Sequence, residues 1–125
     1  MTAEEQYLYH MLDISKYVVQ HRINFIKGYL QDSDYKNIGT TAINLGDYEW
    51  AETFIESHVH YVLPQHRDSV YSLLMGYLWY VRKAYRKALL TLHDVAFTNY
   101  TYHIGAKLIQ IKIYYETEES EALYS

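Results

Sequence analysis

The sequence contains no cysteine, which removes disulfides, thiol catalysis and thiolate metal sites together. It has one proline and five glycines among 125 residues, so chain-breaking punctuation is sparse and long helices are allowed. No run approaches the roughly 18 apolar residues that span a bilayer. The N-terminus opens on Glu4 and Glu5, not on a basic region followed by an apolar stretch. Positive charge is also short. Eleven Lys and Arg against fifteen Asp and Glu give a net charge of −4 with His neutral, a poor match to nucleic acid, whose binding leans on Lys and Arg. These absences point away from membrane and nucleic-acid partners and fit a cytoplasmic address.

What is present is apolar and aromatic. Half of the residues are hydrophobic, enough for a packed core and too many for a disordered chain. Tyrosine dominates the aromatics, with sixteen against three Phe and two Trp. That residue suits surfaces half buried and half wet, because its ring packs while its hydroxyl reaches water or an acceptor.

Helix signals run the length of the chain, and no segment alternates with period two between turn dipeptides; the expected fold class is all-α. Thr2 and Glu5 have the spacing of a capping box. Leu8, Met11, Leu12, Val18, Val19, Ile23 and Ile26 then recur at helical spacing to about Tyr29, as one helix or as two broken between Gln20 and Asn24. Asp32 and Ser33 are N-cap types for a helix to about Leu45. Gly46-Asp47 reads as a stop and a restart, with the next helix running from Tyr48 to about Val62 before Pro64. Further helices are expected over Arg67–Arg82, Tyr85–Val95 and, from a cap at Thr98 or Asn99, to Tyr115, with a last one entered near Glu119–Tyr124.

Comparing the chain with itself gives more. Gly46-Asp47-Tyr48-Glu49-Trp50-Ala51 returns as Lys83-Ala84-Tyr85-Arg86-Lys87-Ala88, an offset of 37 residues, at which Gly39 also maps onto Gly76. Ala88 maps onto Ala122 at an offset of 34. The pattern of Tyr35, Ile38, Gly39, Ala42, Tyr48, Ala51 and Ile55, repeated less fully in Met75, Gly76, Trp79, Tyr85, Ala88 and Leu92, resembles the tetratricopeptide repeat, a helix–turn–helix of about 34 residues. Stretches such as Gly-Asp-Tyr-Glu-Trp-Ala-Glu-Thr-Phe-Ile are also similar to a group of uncharacterised bacterial repeat proteins. The resemblance departs at Ser72, where an aromatic is expected, and at Gln110 and Glu119 in the third unit.

The resemblance implies an α-α solenoid, a right-handed superhelix of antiparallel helix pairs. Residues 1–31 precede the repeats, which cover 32–66, 67–98 and a truncated 99–125 within one domain. The third unit, cut in its second helix, implies a longer protein or a second copy meeting it there. The implied function is a non-catalytic scaffold that binds a protein or peptide in a concave groove. Register places Lys36, Thr40, Ile43 and Asn44 on that groove in the first unit. Leu73, Tyr77, Tyr80 and Val81 follow in the second, and Ile104, Lys107, Ile111 and Tyr114 in the third. Tyr77, Tyr80 and Tyr114 would form an aromatic patch. The clamp that some repeat domains use for a chaperone's C-terminal carboxylate is not expected: of Lys36, Thr40, Leu74, Ile104 and Leu108 at its positions, only the lysine fits. A spacer module within a longer protein is the alternative.

Chemistry finds little support. His58 and His60 stand two apart, about 200° round a helix, and cannot chelate a metal from one face. Gly39 and Gly76 lie in no phosphate-loop motif. Arg86 and His93 fit the loose spacing of a helical ribonuclease, a remote reading for an acidic chain. No enzyme, metal or cofactor is expected.

Overall fold

The computed structural model describes residues 1–96 and 98–124, with the backbone alone over 119–124. Six α-helices and one 3₁₀ turn account for its regular structure: α1 (Ala3–Gln20), α2 (Asp32–Asn44), α3 (Tyr48–His58), the turn Val59–Tyr61, α4 (Pro64–Val81), α5 (Tyr85–Leu92) and α6 (Tyr100–Tyr124). The described residues form no strand, only an isolated bridge between Ile26 and Tyr29. The chain is all-α and divides into two compact units, residues 1–67 and 68–125.

In the first unit α1 opens on the expected capping box. The Glu5 amide donates to Thr2 Oγ1 at 3.1 Å, and the Thr2 amide to Glu5 Oε2 at 3.4 Å. The helix ends at Gln20 rather than reaching Tyr29. Arg22 takes a positive φ of 57°, and the chain then reverses at Lys27-Gly28, both left-handed at φ 51° and 83°. Ile26 and Tyr29 exchange backbone hydrogen bonds of 2.8 and 2.9 Å across that corner. Two successive left-handed residues make the tight turn that twists with its flanks.

The N-cap of α2 is Gln31, so Asp32 and Ser33 lie in the first turn instead of capping it. Asp47 does occupy the N-cap position of α3, yet its side chain makes no capping bond. Its carboxylate instead accepts from Lys16 Nζ at 2.6 Å. The α2–α3 pair closes over Tyr35, whose hydroxyl donates to the Ile55 carbonyl at 2.7 Å and whose ring lies 5.5 Å from that of Phe54.

Pro64, still in the first unit, opens α4 instead of standing clear of it, and the helix continues into the second. At the first helical position its missing N–H is no loss and its fixed φ suits the helix. A Cβ at Gly76 would overlap the Leu92 side chain, so the missing side chain makes room for Leu92 of α5 against α4. Ala51 and Ala88, the small residues matched by the repeat, are both fully buried.

The two turns within these pairs are the same structure twice. Gly46 and Lys83 are left-handed, at φ 81° and 63°. The following amides, of Asp47 and Ala84, reach back five residues to the Ala42 and Trp79 carbonyls at 2.9 and 2.8 Å. The amides of Gly46 and Lys83 bond the Ile43 and Tyr80 carbonyls at 3.0 and 2.9 Å. This double bond is the Schellman ending of a helix, here repeated at the sequence offset of 37.

The third unit differs from expectation. Helix α6 runs unbroken for 25 residues, so no turn separates a first helix ending at Tyr115 from a second near Glu119. Thr117 absorbs its own hydroxyl within the helix by donating to the Ile113 carbonyl at 2.9 Å, and no glycine or proline follows Gly105. The side chains of Glu119 and Ala122, on which part of the third repeat rested, lie outside the described residues.

Candidate functional site

Helix α1 carries two apolar seams of the same spacing. Leu8, Leu12, Ser15 and Val19 form the first, of which Leu12 and Val19 are buried. Tyr7, Met11, Ile14 and Val18 form the second, one residue and so about 100° away. This second seam is wet: Met11 is 40% and Ile14 56% exposed. It forms one wall of a groove of about 490 Å³ whose other wall is Asp34, Asn37, Ile38 and Thr41 of α2. Asp34 is the one charged residue lining it. Asn24 completes the lining, and its buried Oδ1 has no hydrogen-bond partner.

Helix α6 is apolar on two opposite faces. Tyr102, Ala106, Ile109 and Ile113 are buried. At the inner face a Cβ at Gly105 would lie 3.4 Å from Leu73 Cδ1. Ile104, Leu108, Ile111 and Tyr115, two residues on and so about 200° round, are all exposed, Leu108 at 56% and Ile111 at 62%. A helix apolar all round is normally a buried one; here half of that surface meets water.

The residues expected on the groove take several environments. On α2, Lys36 and Thr40 are half-buried and Asn44 is exposed. Leu73 is 5% exposed and belongs to the core against α6, not to a binding surface. Lys107, Ile111 and Tyr114 are exposed on α6. Tyr77 and Tyr80 are half-buried with ring centroids 6.3 Å apart, and Tyr85 lies 6.1 Å beyond Tyr80. Tyr80 and Tyr85 each donate a 2.7 Å hydrogen bond to the Glu116 carboxylate. These bonds push the Tyr80 hydroxyl up to about 12 and raise that of Tyr85, while holding the Glu116 carboxyl below its usual range. Tyr114 precedes Glu116 by two residues, hence points to another side of α6. The aromatic patch therefore consists of Tyr77, Tyr80 and Tyr85 gathered on Glu116, without Tyr114.

A second cleft in the first unit, of about 510 Å³, is lined by Lys16, Val19, Gln20, Arg22, Trp50, Ser57, His58 and Tyr61. Arg22 lies over the Tyr61 ring at 4.7 Å and donates to its hydroxyl at 2.6 Å. Lys16 Nζ stands 4.8 Å from the Trp50 ring. The cleft is at the C-terminal ends of α1 and α3, each worth about half a negative charge. Its two cations are already engaged, Lys16 with the Asp47 carboxylate and Arg22 with the Tyr61 hydroxyl.

Burial, with the charges of His60 and Arg22, pushes the His58 imidazole below its usual range despite an opposing bond to Phe54. Ser57 Oγ lies 2.8 Å from His58 Nδ1, but among the described residues no carboxylate orients that imidazole. The triad arrangement of nucleophile, base and orienting acid is incomplete. Arg86 and His93 are both exposed, on α5 and at its C-cap. Among the described residues no three His, Asp or Glu side chains gather as metal ligands, and no helix is long and apolar enough to cross a membrane.

Comparison with protein-family models, with curated proteins and with solved structures finds no match.

Proposed function

We propose that the chain is a non-catalytic protein-interaction scaffold built of tetratricopeptide-like helix pairs, and that it recognises an amphipathic helix in the groove between α1 and α2. The observation that carries this reading is the seam of exposed Tyr7, Met11 and Ile14, continued by half-buried Val18. Its 4-3-4 spacing is the one a docking helix matches with its own apolar stripe, and burying such side chains is worth about 1.5–3 kcal/mol each. The Tyr80–Tyr85–Glu116 cluster supports the second unit from within, since its hydroxyls are already satisfied.

A photo-crosslinking residue at Ile14, compared with one at the exposed neighbour Asp13, tests the reading in the native host. The expected result is a protein adduct at Ile14 that is absent at Asp13 and lost when Met11→Glu is added. Equal labelling at both positions, or none at Ile14, overturns it. If the chain is instead a spacer in a longer protein, Met11→Glu leaves the adduct pattern unchanged.

A further inference from the structure

The α1–α2 groove and the outer face of α6 are built to the same measure. Tyr7, Met11, Ile14 and Val18 on one, and Ile104, Leu108, Ile111 and Tyr115 on the other, follow identical 4-3-4 intervals. Each seam covers three helical turns, about 16 Å of helix at 1.5 Å per residue. Residues so spaced keep to one side of a helix and interdigitate with a second seam of the same period.

The charges beside the two seams, Asp34 on one and Lys107 and Lys112 on the other, are opposite in sign. The groove contains Asp34 and no cation, and Glu4 continues its seam one turn before Tyr7. The α6 seam is flanked by Lys107 and Lys112, both exposed, with the exposed Glu118 one turn beyond Tyr115. Among the described residues neither Asp34 nor Lys107 has an ion-pair partner. A helix bearing lysines at its margin thus brings the groove the charge it lacks. Lys107, Lys112 and Tyr114 also bring donors to the side of a groove whose Asn24 Oδ1 has no partner.

Resting on the groove reading above, we infer that the occupant of the α1–α2 groove is the outer face of α6 from a second copy of the chain. The two contacting surfaces are different, so the contact is heterologous. Contacts between different surfaces join the copies head to tail, closing as a ring of two or more copies or growing as an open array.

Sedimentation velocity on the full chain, from micromolar to millimolar concentration, tests this. The wild-type mass should rise with concentration beyond that of a monomer. Met11→Glu spoils the groove and Ile111→Glu the α6 face, each at an exposed side chain, so the helical circular dichroism should be retained. Each variant alone should self-associate at least about tenfold more weakly, as loss of a buried anchor predicts. Mixed one to one, the two variants should form a dimer, because the mixture holds one intact groove and one intact α6 face. Should either variant lose helicity, Ile14→Lys and Leu108→Glu probe the same two surfaces. A wild-type chain that stays monomeric at millimolar concentration overturns the second-copy inference, while Ile14 crosslinking to another protein would leave the groove reading standing. Wild-type association untouched by either substitution, or a mixture that remains monomeric, overturns the pairing of α6 with the groove.

Discussion

At the scale of single residues, three positions separate backbone strain from steric conflict. Gly46 has a positive φ of 81° and open space where a Cβ would go. Gly46→Ala therefore loses only the conformational freedom of glycine, about 1–2 kcal/mol. Lys83 holds the equivalent place in the second turn at φ 63° without that freedom, and Lys83→Gly should stabilise by about 0.5–1 kcal/mol. Gly76 is the converse case, helical and facing a Leu92 that is 2% exposed and has nowhere to swing. Gly76→Leu should cost about 1–3 kcal/mol or more through overpacking. Urea denaturation of the three variants checks the order: one gain, one modest loss and one large loss.

The Tyr80–Glu116 pair makes a prediction of a different kind. With its hydroxyl raised to about 12, Tyr80 contributes stability that is complete below pH 10 and lost as pH rises through about 12. The depressed Glu116 carboxyl acts oppositely: its contribution is present above about pH 4.5 and lost as pH falls through its folded value. In an ultraviolet titration, Tyr80→Phe should remove a late-ionising phenol, and Glu116→Gln should return that phenol toward 10. A Tyr80 that titrates near 10 in the unmodified chain would show the bond to Glu116 to be absent in solution.

At the scale of the helix, what the sequence made legible depended on whether a stop signal was local. Thr2 and Glu5 mark the start of α1, and Gly46 marks the turn between α2 and α3, because each places a specific atom or dihedral. The offset of 37 shows in the two matching turns, in Gly76 facing Leu92 and in the buried Ala51 and Ala88. Of the two readings of α1, the break between Gln20 and Asn24 is the one the chain takes; that no helix follows it was hidden because Arg22 and Lys27 take left-handed dihedrals that favour glycine. For α6 the repeat pattern overrode a correct local signal: nothing between Tyr100 and Tyr124 breaks a helix. The seam of the groove was not separated from the core one, since helical spacing over Leu8, Met11, Leu12, Val18 and Val19 does not say which residues are core and which surface. Met11 and Leu12 make that distinction measurable. Leu12→Ala should cost about 2–5 kcal/mol, whereas Met11→Ala, at a side chain 40% exposed, should cost under about 1 kcal/mol. Comparable losses at the two sites would mean that the second seam of α1 is core.

At the scale of the molecule, each compact unit holds one of the two tryptophans. Trp50 stacks on Phe54 at 5.0 Å in the first, and Trp79 lies 3.9 Å from Lys87 Nζ in the second. Trp50→Phe leaves a reporter only in residues 68–125, and Trp79→Phe leaves one only in residues 1–67. Units of about 60 residues bury only about 60% of the surface their unfolded chains expose and are marginal alone. Helix α4 runs unbroken from Pro64 to Val81 across the division at residue 67. Its first turn is held in the first unit, where the Arg67 guanidinium donates to the Val62 and His60 carbonyls at 2.9 Å. Melting either unit therefore frees one end of a helix that the other requires. Fluorescence-monitored denaturation of the two single-tryptophan chains should give coincident midpoints, and helical circular dichroism should follow the same curve. Midpoints that separate by more than the change caused by either Trp→Phe substitution would show that the units unfold independently and that α4 is not the link between them.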